Sequence, residues 1–202
     1  MDYREDTNFH RHSNNRKREI YWIGFLDGIL ASNRIEAGET NALLSEAVKF
    51  IKFFDDPDAA DLVADLQAEC FSCDRDLMSL LIDIITEKRC LIISQSPYSE
   101  KDEVNEFLGF AAGIICDGIV LEEEAKSILD RFQKSDVLNH SPIFAELRRA
   151  VKSSLADKTL TSSEAEELRE WLSCLVGGGY SDTGLPNIGN TSQLDEPITD
   201  PD

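Results

Sequence analysis

One apolar, glycine-containing pattern occurs twice in the sequence, at an offset of 85 residues. The segment Ile23–Ser32 aligns with Leu108–Asp117, and the similarity continues past both segments. Because glycines four residues apart lie on one face of an α-helix, each copy predicts a glycine-faced helix followed by a turn and a second helix. Identical pairs include Gly24 and Gly109, Phe25 and Phe110, Gly28 and Gly113, Ile29 and Ile114, and Glu39 and Glu124. The repeat therefore predicts an all-α fold built from two tandem copies of one multi-helix module.

Apolar periodicity and helix breakers divide the chain into four parts. Residues 1–15 lack apolar periodicity and are expected to be a disordered arm, and residues 16–95 form the first helical module. Residues 100–177 form the second module, and a glycine triplet leads into residues 178–202, an acidic tail without lysine or arginine that is expected to be disordered. The segment Ser94–Ser99 is the expected linker.

Eight helices are predicted within the two modules from the spacing of apolar residues and from capping residues. The short apolar run Cys90–Ile93 is either a strand or a buried connector, because its length does not decide between them. The predicted helices are Glu19–Ala31, Glu39–Phe54, Asp58–Cys70, Asp74–Lys88, Asp102–Cys116, Glu122–Lys134, Pro142–Ala156 and Ser162–Val176.

The charge of the chain restricts its partners. With 39 acidic and 20 basic residues, the formal net charge is -19, which repels nucleic-acid backbones and anionic membranes. We therefore expect no direct nucleic-acid binding by the body of the protein and no membrane association. No apolar run approaches about 18 residues and Met1–Asn8 is polar, so neither a transmembrane helix nor a signal peptide is expected. The odd number of cysteines, 5, predicts reduced and mostly buried thiols in a cytoplasmic protein.

The repeated glycines need an offsetting interaction, since glycine costs about 1 kcal/mol in a helix interior. Close packing of two helices within the chain is one explanation. The other is a groove that receives a helix of a partner protein, with Gly24, Gly28, Gly109 and Gly113 as its interface.

Two acidic turns resemble the second half of a calcium-binding EF-hand loop. Asp117 precedes Glu124 by seven residues, and Asp157 precedes Glu164 by the same spacing. The first half of such a loop is missing, so a single-loop calcium site is not expected, and the glutamates are expected to start helices instead. The alternative is a weak divalent-cation site formed by Asp117, Glu124, Asp157 and Glu164, if the two turns lie side by side. No other cofactor is expected.

The remaining candidate residues indicate no cofactor chemistry. Cys70 and Cys73 form one CxxC motif without a second pair, so a buried helical cysteine pair is favoured over zinc or redox chemistry. His10 and His12 lie in the basic arm, which could contact a metal ion, a phosphate or the acidic body of another copy.

The glycine-faced helices, the Asp-Gly turn and the two Asp-to-Glu turns resemble the tellurite-resistance TerB-like helical module. Residues 107–179 are more similar to the helical region that precedes the BRCT domain in bacterial BRCT-containing, NAD-dependent-ligase-like proteins. The similarity extends over about residues 16–197, and the chain ends where the BRCT domain would begin. The first copy departs from the pattern at Ser32, where the turn aspartate is expected.

The resemblance implies a non-catalytic adaptor or scaffold that binds a DNA-repair or replication protein. A TerB-type cation-binding or stress-response module is the first alternative, and a remnant or fragment of a BRCT-containing protein is the second. Ligase activity is not expected, because the residues two places before Asp27-Gly28 and Asp117-Gly118 are Phe25 and Ile115 rather than the lysine that such ligases adenylate. The sequence leaves open the identity of the partner and the oligomeric state.

Overall fold

A computed structural model describes residues 4–71, 73–156 and 159–177, and in these ranges it contains helices and no strand. The predicted all-α class is thereby confirmed. The α-helices are α1 (Arg4–Ile29), α2 (Ala37–Ile51), α3 (Pro57–Gln67), α4 (Asp74–Gln95), α5 (Glu100–Ile114), α6 (Glu122–Lys134), α7 (Asp136–His140), α8 (Ala145–Ser154) and α9 (Ser162–Val176), and a 3₁₀ helix, Pro142–Phe144, precedes α8.

The two glycine-faced helices, α1 and α5, pack against each other at the centre of the molecule. Helices α2 and α4 also contact α1, and α7 and α9 contact α5. On the first side, four aromatic rings stack in a row: Phe25, Trp22, Phe50 and Phe54. On the second side, Phe107, Phe132 and Phe144 pack at tilted or edge-on angles.

Capping residues fix where the helices around this central pair begin. Glu39, Asp102 and Glu164 each complete a capping box at the third position of their helix, accepting a hydrogen bond from the N–H of the residue before the helix. Pro57 and Pro142 occupy first helical positions, where the missing N–H of proline removes no intrahelical bond.

Several boundaries differ from the expected ones. Cys90–Ile93 belongs to α4, so the strand alternative for this run is wrong; no breaker separates the run from the preceding helix. Helix α1 begins at Arg4, inside the segment expected to be disordered, because the chain has no proline or glycine before Gly24. The short helix α7 was not anticipated from apolar periodicity.

The cysteines are more accessible than the sequence predicts. Cys70, Cys73, Cys90 and Cys174 are exposed, and only Cys116 is half-buried. The expectation of mostly buried thiols is therefore wrong, because these cysteines lie on the outer faces of helices or in a turn rather than in the apolar stripes.

No helix among the described residues is both long enough and apolar enough to cross a bilayer.

Candidate functional site

The four repeated glycines lie at the crossing of α1 and α5. A Cβ atom placed on Gly24 would lie 2.0 Å from the carbonyl oxygen of Glu106, and one on Gly109 would lie 2.0 Å from that of Tyr21. At Gly28 and Gly113 the same test gives 2.3 Å to a carbonyl oxygen of the opposite helix. Each contact made by a glycine of α1 therefore has an equivalent contact made by the glycine 85 residues later in α5. The face proposed for a partner helix is therefore occupied by the other glycine-faced helix of the same chain.

The two acidic turns lie side by side, as the cation-site alternative requires. The backbone N–H of Leu160 is 3.5 Å from Oε2 of Glu122, and a cavity of about 380 Å³ separates the turns. However, Glu164 accepts hydrogen bonds from the N–H and hydroxyl of Thr161, and Glu124 accepts one from the N–H of Leu121. Asp157 lies outside the described residues. Among those described, no group of three or more histidine, cysteine or acidic side chains has the arrangement of a metal site.

Glu39 and Glu124 form a buried acidic pair beside Asp117. Glu39 is 1% exposed and Glu124 is 3% exposed. Burial, together with the charge of Asp117, raises the pKa of Glu39 to about 7. Burial, together with the charges of Glu39 and Asp117, raises the pKa of Glu124 to about 8. Burial and the same three carboxylates also raise the pKa of the neighbouring Cys116 thiol, which therefore stays protonated and weakly nucleophilic.

A groove of about 990 Å³ lies at the beginning of α5. Its walls are α1, the α4–α5 connection and α7. Apolar side chains at the groove are Pro97, Val104, Leu108 and Val137, and the charged or polar ones include Lys17, Lys101 and His140. We call this cavity the α5 groove.

The wall formed by α1 and the α4–α5 connection is held by Arg16. Its guanidinium donates to both carboxylate oxygens of Asp102, with a closest distance of 2.9 Å, and also to the carbonyl oxygens of Ile92, Ser96 and Pro97. Burial of Asp102 opposes its ionisation, but hydrogen bonds from Arg16 and Ser99 outweigh this effect and lower the pKa of Asp102. The Arg16 contacts therefore keep one side of the α5 groove in place.

A network of charged side chains fixes the same connection from the other side. Arg89 of α4 donates to Asp27 of α1 at 3.0 Å and to Glu106 of α5 at 2.6 Å. Arg131 of α6 donates to Asp27 at 2.5 Å, and the hydroxyl of Tyr98 donates to Glu106. Four helices and the connection thus meet at two carboxylates.

Two lysines, Lys17 and Lys101, line the α5 groove. Lys17 and Lys101 make no ion pair within the described residues, whereas Arg16 beside them is paired with Asp102. Glu100 and Asp136, which also line the groove, lie in the first turns of α5 and α7, where negative charge interacts favourably with the helix N-terminus.

The sequence did not indicate this groove. Its residues come from α1, the α4–α5 connection, α5 and α7, so only the packing brings them together. The one available signal is the basic run Arg16–Arg18 in a strongly acidic chain.

No protein-family model, curated protein or solved structure matches this sequence. The resemblance to TerB-like and BRCT-associated helical regions therefore rests on the residues quoted above, and the function has to be inferred from the geometry.

Proposed function

We propose that this chain is a non-catalytic protein-interaction module and that the α5 groove binds an extended segment of a partner protein. The observation that carries the proposal is the groove itself: about 990 Å³, lined both by polar side chains and by apolar ones, Pro97, Val104, Leu108 and Val137, which we call its apolar floor. Cavities of roughly 300–1,000 Å³ with this mixture of surfaces are typical of ligand sites. By family resemblance alone, the partner is a DNA-repair or replication protein.

The polar groups of the groove favour binding over catalysis. Ser99 and Asp102 are hydrogen-bonded at 2.9 Å, which resembles a nucleophile and its base. The lowered pKa of Asp102 and its pairing with Arg16 make it a poor base, and the Ser99 hydroxyl also caps α5. His140 is hydrogen-bonded through Nδ1 to the carbonyl oxygen of Asp136 on its own helix. Neither Asp102 nor His140 is therefore positioned to act as a general acid or base.

Selection of peptides displayed on phage against the full chain tests the proposal. We expect a family of related peptides, and we expect Val137→Glu in the groove to abolish their binding because it places a charge beside the apolar floor. Ile119→Glu, at a residue 58% exposed outside the groove, is the matched control and should leave binding unchanged. Equal melting temperatures for the two variants would show that both are folded. Recovery of no peptide, or equal binding by both variants, would contradict the proposal.

A divalent-cation module is the second candidate, favoured by the adjacent positions of the two acidic turns. It would use Asp117, Glu124, Asp157 and Glu164, although Glu124 and Glu164 already accept backbone hydrogen bonds. Calorimetric titration with Ca²⁺, Mg²⁺ and Zn²⁺ tests this candidate. Heat that disappears in the Asp117→Asn variant would support it, and the absence of heat would exclude it.

A further inference from the structure

The α5 groove presents two kinds of unsatisfied surface to a ligand. Lys17 and Lys101 supply positive charge at two points of the groove and have no ion pair among the described residues, although the carboxylates of Glu100 and Asp136 also line the groove. Val104, Leu108 and Val137 supply apolar area, with Val104 and Val137 half-buried. A ligand that satisfies both needs carboxylates and aliphatic side chains on one short, extended segment.

Such a segment follows α9 in this chain. Residues 178–202 contain no lysine or arginine. Their acids are Asp182, Asp195, Glu196, Asp200 and Asp202, and their aliphatic residues are Leu185, Ile188, Leu194 and Ile198. Three prolines, Pro186, Pro197 and Pro201, disfavour a helix there, which suits binding in an extended form. The composition thus matches the two needs of the groove.

The point from which this segment starts is also suitable. Helix α9 ends at Val176 and packs against α5, the helix that forms the floor of the groove. The 25 residues from 178 to 202 could span up to roughly 80 Å when extended, at about 3.3 Å per residue. The segment is therefore long enough to reach the groove of its own chain. Because attachment supplies an effective concentration in the millimolar range, even weak contacts suffice for binding.

We propose that residues 178–202 bind in the α5 groove of their own chain and thereby compete with an external partner. This inference rests on the proposed function, since it assumes that the groove is a peptide site. Lys17 and Lys101 bind the carboxylates, and the aliphatic side chains cover the apolar floor. A partner would then need to displace the tail. Its apparent affinity would be reduced in proportion to the fraction of molecules whose groove is free of the tail.

Zero-length carbodiimide cross-linking of the full chain, read by mass spectrometry, tests the proposal. We expect amide bonds from Lys17 or Lys101 to carboxylates of residues 178–202. Lys52 and Lys152 are exposed lysines that likewise have no described ion pair, so they serve as internal controls and should give little product. A mixture of unlabelled and ¹⁵N-labelled chains separates products within one chain from products between copies. Equal yields at all four lysines, or products only between copies, would overturn the proposal.

A second measurement reads the tail itself. In ¹⁵N NMR spectra of the full chain, the double variant Lys17→Glu, Lys101→Glu should move the amide signals of Leu185, Ile188 and Leu194 to random-coil positions. The variant Lys52→Glu, Lys152→Glu carries the same change of charge and should leave them in place. Random-coil signals already in the parent chain would overturn the proposal. If the tail fails both tests while displayed peptides still depend on Val137, the peptide-binding function stands and only its intramolecular ligand is wrong.

Discussion

Glu39 and Glu124, which are 85 residues apart, make the same hydrogen bond in the same helical position. Each accepts at 2.7 Å from the backbone N–H three residues earlier, and each is almost fully buried. The charge of Glu39 contributes to the raised pKa of Glu124, and the charge of Asp117 contributes to the raised pKa of both. The repeat thus places two carboxylates close together where neither is readily ionised.

This pair predicts that stability falls as the pH rises from about 5 to 9. Both glutamates have folded-state pKa values, about 7 and about 8, above the ordinary value of 4.5. Between these values the folded chain binds protons that the unfolded chain releases, so the stabilisation is complete below about 4.5 and is lost as the pH passes 7 to 8. At about 1.4 kcal/mol per pKa unit the two shifts sum to an upper limit of about 8 kcal/mol, so we expect a decrease of several kcal/mol, measured by urea unfolding at several pH values.

Glutamine at both positions should flatten this pH dependence, since its side-chain oxygen still accepts the backbone hydrogen bond but does not titrate. The control replaces two exposed glutamates, Glu123→Gln and Glu167→Gln, and should retain the slope. A slope that is unchanged in the Glu39→Gln, Glu124→Gln variant would contradict the assignment.

The close crossing of α1 and α5 predicts that one methyl group added at a crossing glycine greatly lowers the free energy of unfolding. In Gly24→Ala the new Cβ would meet the carbonyl oxygen of Glu106, which belongs to a helix backbone and moves only with its helix. We expect a loss of about 3 kcal/mol or more in unfolding free energy, measured by denaturant titration. Gly118→Ala is the control: Gly118 has a φ of +84° but nothing within 4 Å of its Cβ position, so a cost of about 1 kcal/mol is expected. Equal costs would contradict the close packing.

The network around Asp27 predicts that one carboxylate holds several helices together. Asp27→Asn removes the charge shared by Arg89 and Arg131, and leaves Glu106 to balance both guanidinium groups. Because Asp27 is partly exposed, we expect a loss of about 1–3 kcal/mol in unfolding free energy. Asp130→Asn breaks the exposed pair with Lys134 and should cost at most about 0.5 kcal/mol. Similar losses in the two variants would show that the network adds nothing.

Local patterns in the sequence were sufficient for the fold class and most helix positions, and insufficient for the groove. Gly24 and Gly28 predicted a close helix contact because their spacing is a local property, but their partner helix, α5, was identified only by the packing. The pairing of Arg16 with Asp102 joins residues 86 positions apart and leaves no local signal. The adjacency of the two acidic turns was only a condition of the cation-site alternative, and capping engages two of their carboxylates. A surface groove depends on contacts between residues far apart in the sequence, and it is therefore the feature of this protein that local sequence patterns predict least well.

The last prediction concerns Trp22, since the equivalent position of the second copy holds a phenylalanine, Phe107. Within the part of the chain that the structure describes, the buried indole N–H of Trp22 has no hydrogen-bond acceptor, whereas Phe107 has no side-chain donor. An unpaired buried donor costs about 1–3 kcal/mol, which offsets the packing that the larger ring contributes. We therefore expect Trp22→Phe to change the free energy of unfolding by less than about 1 kcal/mol, although large-to-small changes at buried aromatic positions usually cost more. Phe107→Leu, at an equally buried ring without an unpaired donor, should cost more than about 1 kcal/mol in the same urea titration. A loss for Trp22→Phe as large as that for Phe107→Leu would mean that the indole is bonded after all, to a buried water that the variant removes.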